Sequence, residues 1–80
     1  MDFKTFAESV AKNIKRLRLE KNLSQEAVSG LEMGVRTYQR IESGITTPSL
    51  ESLYIIANAL GRHPKELLDI PTTNNKTKKH

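Results

Sequence analysis

Apolar residues recur near the start of the chain at Phe3, Phe6, Val10, Ile14 and Leu17, in steps of 3, 4, 4 and 3. That period is one face of an α-helix and predicts a first helix reaching Lys21. Thr5 and Glu8 stand at the spacing of a capping box, with Asp2 as the competing N-cap. Asn22 suits the end of this helix, because Asn tolerates the left-handed conformation almost as well as Gly. Ser24 then caps a second, short helix from Gln25 to about Leu31, with Glu26 favourable near its positive end. Gly30 and Gly34 bracket the close of that helix and the turn after it. A third helix is predicted from Val35 to Ser43, with Tyr38 and Ile41 facing inward and Gly44 stopping it.

The second half continues in the same manner. Ile45-Thr46-Thr47-Pro48 reads as a loop, since Pro48 keeps Thr47 out of the helical region. Ser49 caps a fourth helix through Leu60 whose stripe is Leu50, Leu53, Ile56, Ala57 and Leu60, and Gly61 closes it. Pro64 opens a fifth helix that ends near Asp69, with Leu67 and Leu68 as its apolar pair. No segment alternates apolar and polar as a strand does. Residues 71–80 offer nothing apolar to bury beyond Pro71 and are predicted to be a disordered basic tail. The expected architecture is all-α: one compact five-helix domain over residues 1–70.

Size and composition then remove most function classes. Eighty residues hold one small core and no deep substrate cleft. Cysteine is absent, so there is neither a disulfide framework nor a thiolate metal site. His63 and His80 lie 17 residues apart, outside any ligand-spaced cluster. No catalytic residues emerge: paired carboxylates, a Ser/His/Asp set and a phosphate loop are all missing, so neither an enzyme nor a cofactor is expected. Ile55-Ile56-Ala57 falls far short of the roughly 20 apolar residues that span a bilayer. With no signal-peptide pattern at the start, a soluble, cytoplasmic chain is expected, with no membrane or small-molecule partner.

The formal charge of +4 is unevenly spread. Lys76, Lys78 and Lys79 sit in the tail, leaving 10 basic against 9 acidic residues over positions 1–70. Clustering therefore matters more than the total. Lys12, Lys15, Arg16, Arg18 and Lys21 crowd the end of the first helix, and Arg36 and Arg40 are one turn apart on the third. Phosphate contacts are local, so a near-neutral domain with such patches can bind a polyanion. Two short helices joined by a tight turn suit double-stranded DNA: the second lies in the major groove while the first crosses the backbone.

Four stretches, in order, carry a resemblance to the Cro and phage-repressor (XRE-type) helix-turn-helix family. They are Ile14-x-x-Leu17-Arg18; Leu23-Ser24-Gln25-Glu26; Val35-Arg36-Thr37-Tyr38-Gln39-Arg40-Ile41-Glu42-Ser43-Gly44; and Pro48-Ser49-Leu50-Glu51-Ser52-Leu53 with Ile56-Ala57-x-Ala59-Leu60-Gly61. The resemblance runs over residues 14–68 and puts the helix-turn-helix at about 25–43. It implies a lambda-repressor-like fold. It implies that Gln25 touches the DNA backbone and braces the recognition helix. Val35, Arg36, Gln39 and Arg40 match the groove-facing positions, with Arg36 and Arg40 as base readers, since Arg pairs bidentately with guanine. Thr37 and Ser43 on the same helix are candidate DNA contacts beside them. Thr46 and Thr47 match a loop that reaches phosphate, and Lys15 is a further backbone contact. Arg18 and Glu42 match an internal ion pair. The chain departs from the family pattern at several places. The stretch from Gln25 to Ile41 is one residue short, with Met33 in or beside the place of the turn glycine. Ser29 replaces a small alanine, Arg62 an apolar residue, and Ile55 a charged one.

Set against these roles, Tyr38 reads as core, Phe3 and Phe6 as core or as a cover over its open end, His63 as an ordinary helix-start residue, and most of the first helix's lysines as solvated surface. Tyr54, Ile55, Leu68 and Ile70 form a candidate dimer face: with no other oligomerisation module the domain can pair only through its own surface, and the resemblance implies pairing through the last helices. The function expected is a sequence-specific DNA-binding transcriptional regulator, acting as a homodimer on a near-palindromic operator, with autoregulation in the manner of a restriction–modification controller protein or a small phage repressor as the favoured form. An antitoxin-like protein-interaction module with a protein partner, or the DNA-binding end of a longer regulator, are the alternatives.

Overall fold

The computed structural model describes residues 1–71. Within them the chain forms five helices: α1 (Phe3–Glu20), α2 (Gln25–Ser29), α3 (Val35–Glu42), α4 (Leu50–Leu60) and α5 (Pro64–Leu67). The predicted disordered tail, Pro71 apart, lies outside the described residues.

Side-chain caps start most of these helices. The Asp2 carboxylate accepts from the Thr5 amide at 2.8 Å, so Asp2 and not Thr5 is the N-cap of α1. An anionic cap at the positive end of the helix dipole accounts for that choice and holds the Asp2 carboxyl below its usual range, chiefly through the Thr5 amide. Ser24 and Ser49 cap α2 and α4 by accepting from Ala27 and Ser52. His63 caps α5, its Nδ1 accepting from the Lys65 amide at 3.1 Å while Glu66 reaches back to the His63 amide.

Three helices end alike. Asn22, Gly44 and Gly61 take positive φ (58°, 84° and 67°) just past α1, α3 and α4. The next amide donates back to the helix: Leu23 to Arg18, Ile45 to Arg40, and Arg62 to Ala57. This closure satisfies carbonyls that would otherwise lack partners. Gly44 also lies against α1, where a Cβ would stand 4.0 Å from Ala11.

The core gathers Val10, Ile14 and Leu17 of α1 with Val28, Met33, Tyr38, Ile41, Ile56, Ala57, Leu60 and Leu67. α4 packs on both α2 and α5. Its buried surface is therefore wider than one stripe, and Ile55, off the stripe in sequence, packs half-buried against the core. Leu50, on the stripe in sequence, is 85% exposed at the first position of α4. Phe3 is likewise exposed, whereas Phe6 packs on the core. α2 and α5 are both shorter than their patterns predict. α2 ends at Ser29, where Gly30 (φ 57°, ψ −152°) breaks the helical path. The shortened turn then sends Met33 inward and Leu31 fully outward. Met33, between α2 and α3, is buried in the core cluster, and its amide donates to the Ser29 carbonyl at 3.2 Å.

Asn13 was given no role by the sequence. It is buried on α1, and its Nδ2 donates to the backbone oxygens of Glu66 (2.9 Å) and Leu67 (3.0 Å), the closing carbonyls of α5. Its Oδ1 accepts from Arg16 at 2.6 Å. One polar side chain therefore caps a four-residue helix and ties it to α1.

Candidate nucleic-acid interface

α3 is held from behind by a buried carboxylate. Glu42 accepts from Arg18 twice, at 2.7 Å from Nε and 2.9 Å from Nη2. It also accepts from the Tyr38 hydroxyl and, at 3.0 Å, from Gln25 Nε2. Each carboxylate oxygen thus has two donors, and Arg18 spends its remaining reach on the Leu23 carbonyl at 2.8 Å. Burial alone would push the Glu42 carboxyl up. The bonds from Arg18, Tyr38 and Gln25 outweigh it and hold the group below its usual range. The Glu42 partnership raises Arg18, and burial first and then Glu42 pushes the Tyr38 hydroxyl well up. Arg18 and Glu42 stay charged and Tyr38 stays protonated over the neutral range. A charge pair this buried stabilises only because every donor and acceptor is matched.

This cluster extends to the surface. Gln25, bonded to Glu42 through its nitrogen, accepts from Gln39 Nε2 at 3.0 Å through its oxygen. A continuous chain therefore links Arg18 on α1, Glu42 and Gln39 on α3, and Gln25 at the first turn of α2. It fixes the rotation of α3 about its own axis, and so which side chains face out.

Gln25, Arg36, Gln39, Arg40 and Ser43 line one shallow depression, together with Ile45. Thr37 is exposed on the first turn of the same helix, and Val35 is half-buried beside it. α3 begins at Gly34 with no side-chain cap, so its leading amides remain open to water or an anion. The charge pattern is selective. Among the described residues Arg16 pairs with Glu20, Arg18 with Glu42, and Arg62 with Glu66 and Glu20. Arg36 and Arg40 form no ion pair among the described residues, and both are exposed. Three of the five arginines are thus neutralised inside the domain, and the other two stand together on α3.

Other predicted site residues lie elsewhere. Lys15 is exposed on α1 beside Lys12 and Leu19, outside the α3 depression. Thr46 is exposed in the α3–α4 loop, its amide donating to the Arg40 carbonyl at 3.2 Å. Thr47 turns toward an apolar groove lined by Phe3, Phe6, Pro48, Leu53 and Leu68. Of the candidate dimer residues, Tyr54 and Leu68 are exposed, while Ile55 and Ile70 pack half-buried on the protomer's own core. The sequence reading passed over Ile45; its signal was an aliphatic residue directly after a helix-stop glycine. No helix among the described residues is long and apolar enough to cross a membrane.

Comparison with known proteins bears on the fold and the family. The apo form of the competence regulator ComR from Streptococcus vestibularis superposes with a TM-score of 0.76 at 35% sequence identity. The match covers 91% of this chain and 27% of that one, so the chain spans about a quarter of ComR's length. No curated protein matches. A helix-turn-helix family profile matches residues 14–67, from the middle of α1 to the last residue of α5. The chain belongs to the Cro/C1-type (XRE-type) helix-turn-helix family of DNA-binding domains.

Proposed function

We propose that the protein is a sequence-specific transcriptional regulator that places the exposed face of α3 in the major groove of B-DNA. The observation that carries this reading is the pair of exposed, unpaired arginines, Arg36 and Arg40, in a domain whose other arginines are tied to carboxylates. Arginine reads guanine O6 and N7 bidentately, and Gln39 and Gln25 offer amides beside it. Ser43 and Thr37 border the same face, and Lys15 and Thr46 approach flanking phosphates. The reading continues to a homodimer formed through Tyr54 and Leu68 with Ile55 and Ile70 behind them. Its two α3 helices sit roughly 34 Å apart on a near-palindromic operator. Concentration then controls occupancy through the dimer equilibrium, which suits a regulator of its own gene.

Selection of bound duplexes from a random pool tests this, followed by titration of the winner at several salt concentrations. A paired-repeat consensus with a steep salt slope is the expected result. Weak binding without enrichment rejects it in favour of a protein-interaction role. The likeness to a chain of which this one spans 27% supports a second reading, the DNA-binding end of a longer regulator. The intact mass of the natural product separates the two.

A further inference from the structure

Ile45 is out of place as a surface residue. Its side chain is 73% exposed, and it belongs neither to the core nor to the apolar groove beside α1. It shares its depression with five polar neighbours, Gln25, Arg36, Gln39, Arg40 and Ser43. It is also held firmly. Gly44 reverses the chain at φ 84°, and the Ile45 and Thr46 amides both donate to the Arg40 carbonyl, at 3.0 and 3.2 Å. The Ile45 backbone is thus fastened to the last turn of α3, which sets where its side chain emerges beside Arg40.

We propose that Ile45 is a specificity-determining residue that packs on the C5-methyl group of a thymine at one position of each half-site. This rests on the reading of α3 as the major-groove helix. The chemistry follows from what that groove displays. Beside its hydrogen-bonding edges, the one apolar group a base presents there is the thymine methyl, and apolar side chains read it. Arg36, Arg40 and Gln39 match hydrogen-bonding edges; Ile45 has nothing to offer them. Water would leave an aliphatic side chain of this size on contact with a methyl, and that contact is absent for cytosine and for uracil. Ile45 follows the helix, whereas Arg36 sits at its start, so the methyl it reads lies at the end of the site served by Arg40.

Replacing thymine by deoxyuridine removes the methyl and nothing else, which gives a direct test on the duplex selected from the random pool. Each thymine is replaced in turn, and affinity is measured for the wild type, Ile45→Ala and Ile45→Val. The wild type is expected to lose about four-fold at one thymine per half-site, the equivalent of one buried methylene. Ile45→Ala binds the thymine and deoxyuridine duplexes equally at that position, and Ile45→Val keeps part of the preference. Thermal unfolding of Ile45→Ala at the wild-type midpoint confirms that the difference is made at the interface. Equal thymine-to-uracil ratios for wild type and Ile45→Ala at every position overturn the proposal. So does a uniform weakening by Ile45→Ala, which assigns the side chain to the sugar–phosphate backbone, and so does a selected site without thymine. If the pool yields no enriched duplex, the groove assignment of α3 falls and this proposal with it. If a duplex is enriched and Arg40→Ala weakens it without a thymine effect at Ile45, only the present inference fails.

Discussion

Arg18→Met removes one charge from the cluster behind α3 and leaves its partner in place. The methionine keeps most of the apolar volume, so packing changes little. Lost are both guanidinium bonds to Glu42 and the bond to the Leu23 carbonyl. Glu42, 8% exposed, is left charged with only Tyr38 and Gln25 as donors. Removing one partner of a buried ion pair costs about 3–5 kcal/mol. A folded unit of this size has roughly 4–10 kcal/mol in total. At about 4–8 °C per kcal/mol, the melting midpoint drops by at least roughly 12 °C. The dependence on pH is a second signature. In the wild type the Glu42 carboxyl sits below its ordinary value of 4.5, so its stabilisation is present above that value and is lost as pH falls through the lowered one. In Arg18→Met, burial without the guanidinium raises the carboxyl, and its penalty disappears as acid protonates it. The gap between wild type and variant is therefore widest near pH 7 and narrows toward about pH 4. Urea denaturation followed by circular dichroism at both pH values measures it. A loss under about 1 kcal/mol at neutral pH, or the same loss at both, refutes this account of the cluster.

Other expected outcomes are narrower. Asn13→Ala takes the side-chain donor from the Leu67 carbonyl and leaves the Glu66 carbonyl only its backbone donors, destabilising by about 1–3 kcal/mol, with faster hydrogen exchange in residues 64–68; unchanged exchange there removes Asn13 as the tie. Leu60→Ala costs about 2–5 kcal/mol and Leu50→Ser under about 0.5, compared by chemical denaturation; equal losses contradict the exposure of Leu50. Tyr54→Lys lowers dimer affinity without changing protomer stability, since Tyr54 is exposed, and sedimentation at micromolar concentration reads it. Ile55→Lys is the less clean variant, because Ile55 also packs on its own protomer's core.

The legible parts of the fold were those set by local rules. The 3–4 period of Val10, Ile14 and Leu17, the Ser24 and Ser49 caps, and the stops at Asn22, Gly44 and Gly61 each depend on a few neighbouring residues. Leu50 and Ile55 were misplaced because burial on α4 depends on which helices flank it. α2 and α5 cover more than one side of it, and none reaches its first position. Asn13 was illegible for a related reason: its acceptors lie 53 and 54 residues away. The polar character of α3 was plain in sequence. The resemblance already implied the Arg18–Glu42 pair; what the structure adds is that Arg16 and Arg62 are also held by carboxylates, Glu20 and Glu66, which leaves Arg36 and Arg40 in contrast among the described residues. Nor did the sequence signal that Thr47 borders the apolar groove beside α1, while Ile45, two residues earlier, lines the α3 depression.

The central claim is that the arginines of α3 read bases. The most direct measurement compares Arg36→Ala and Arg40→Ala with Lys15→Ala on the selected duplex and on its single-base variants, across a salt series. Each arginine variant is expected to lose about 1–3 kcal/mol and its preference at one base pair per half-site. Lys15→Ala is expected to weaken all duplexes evenly and flatten the salt slope. If all three variants weaken every duplex alike, with base preferences intact, α3 does not read sequence and the account is wrong.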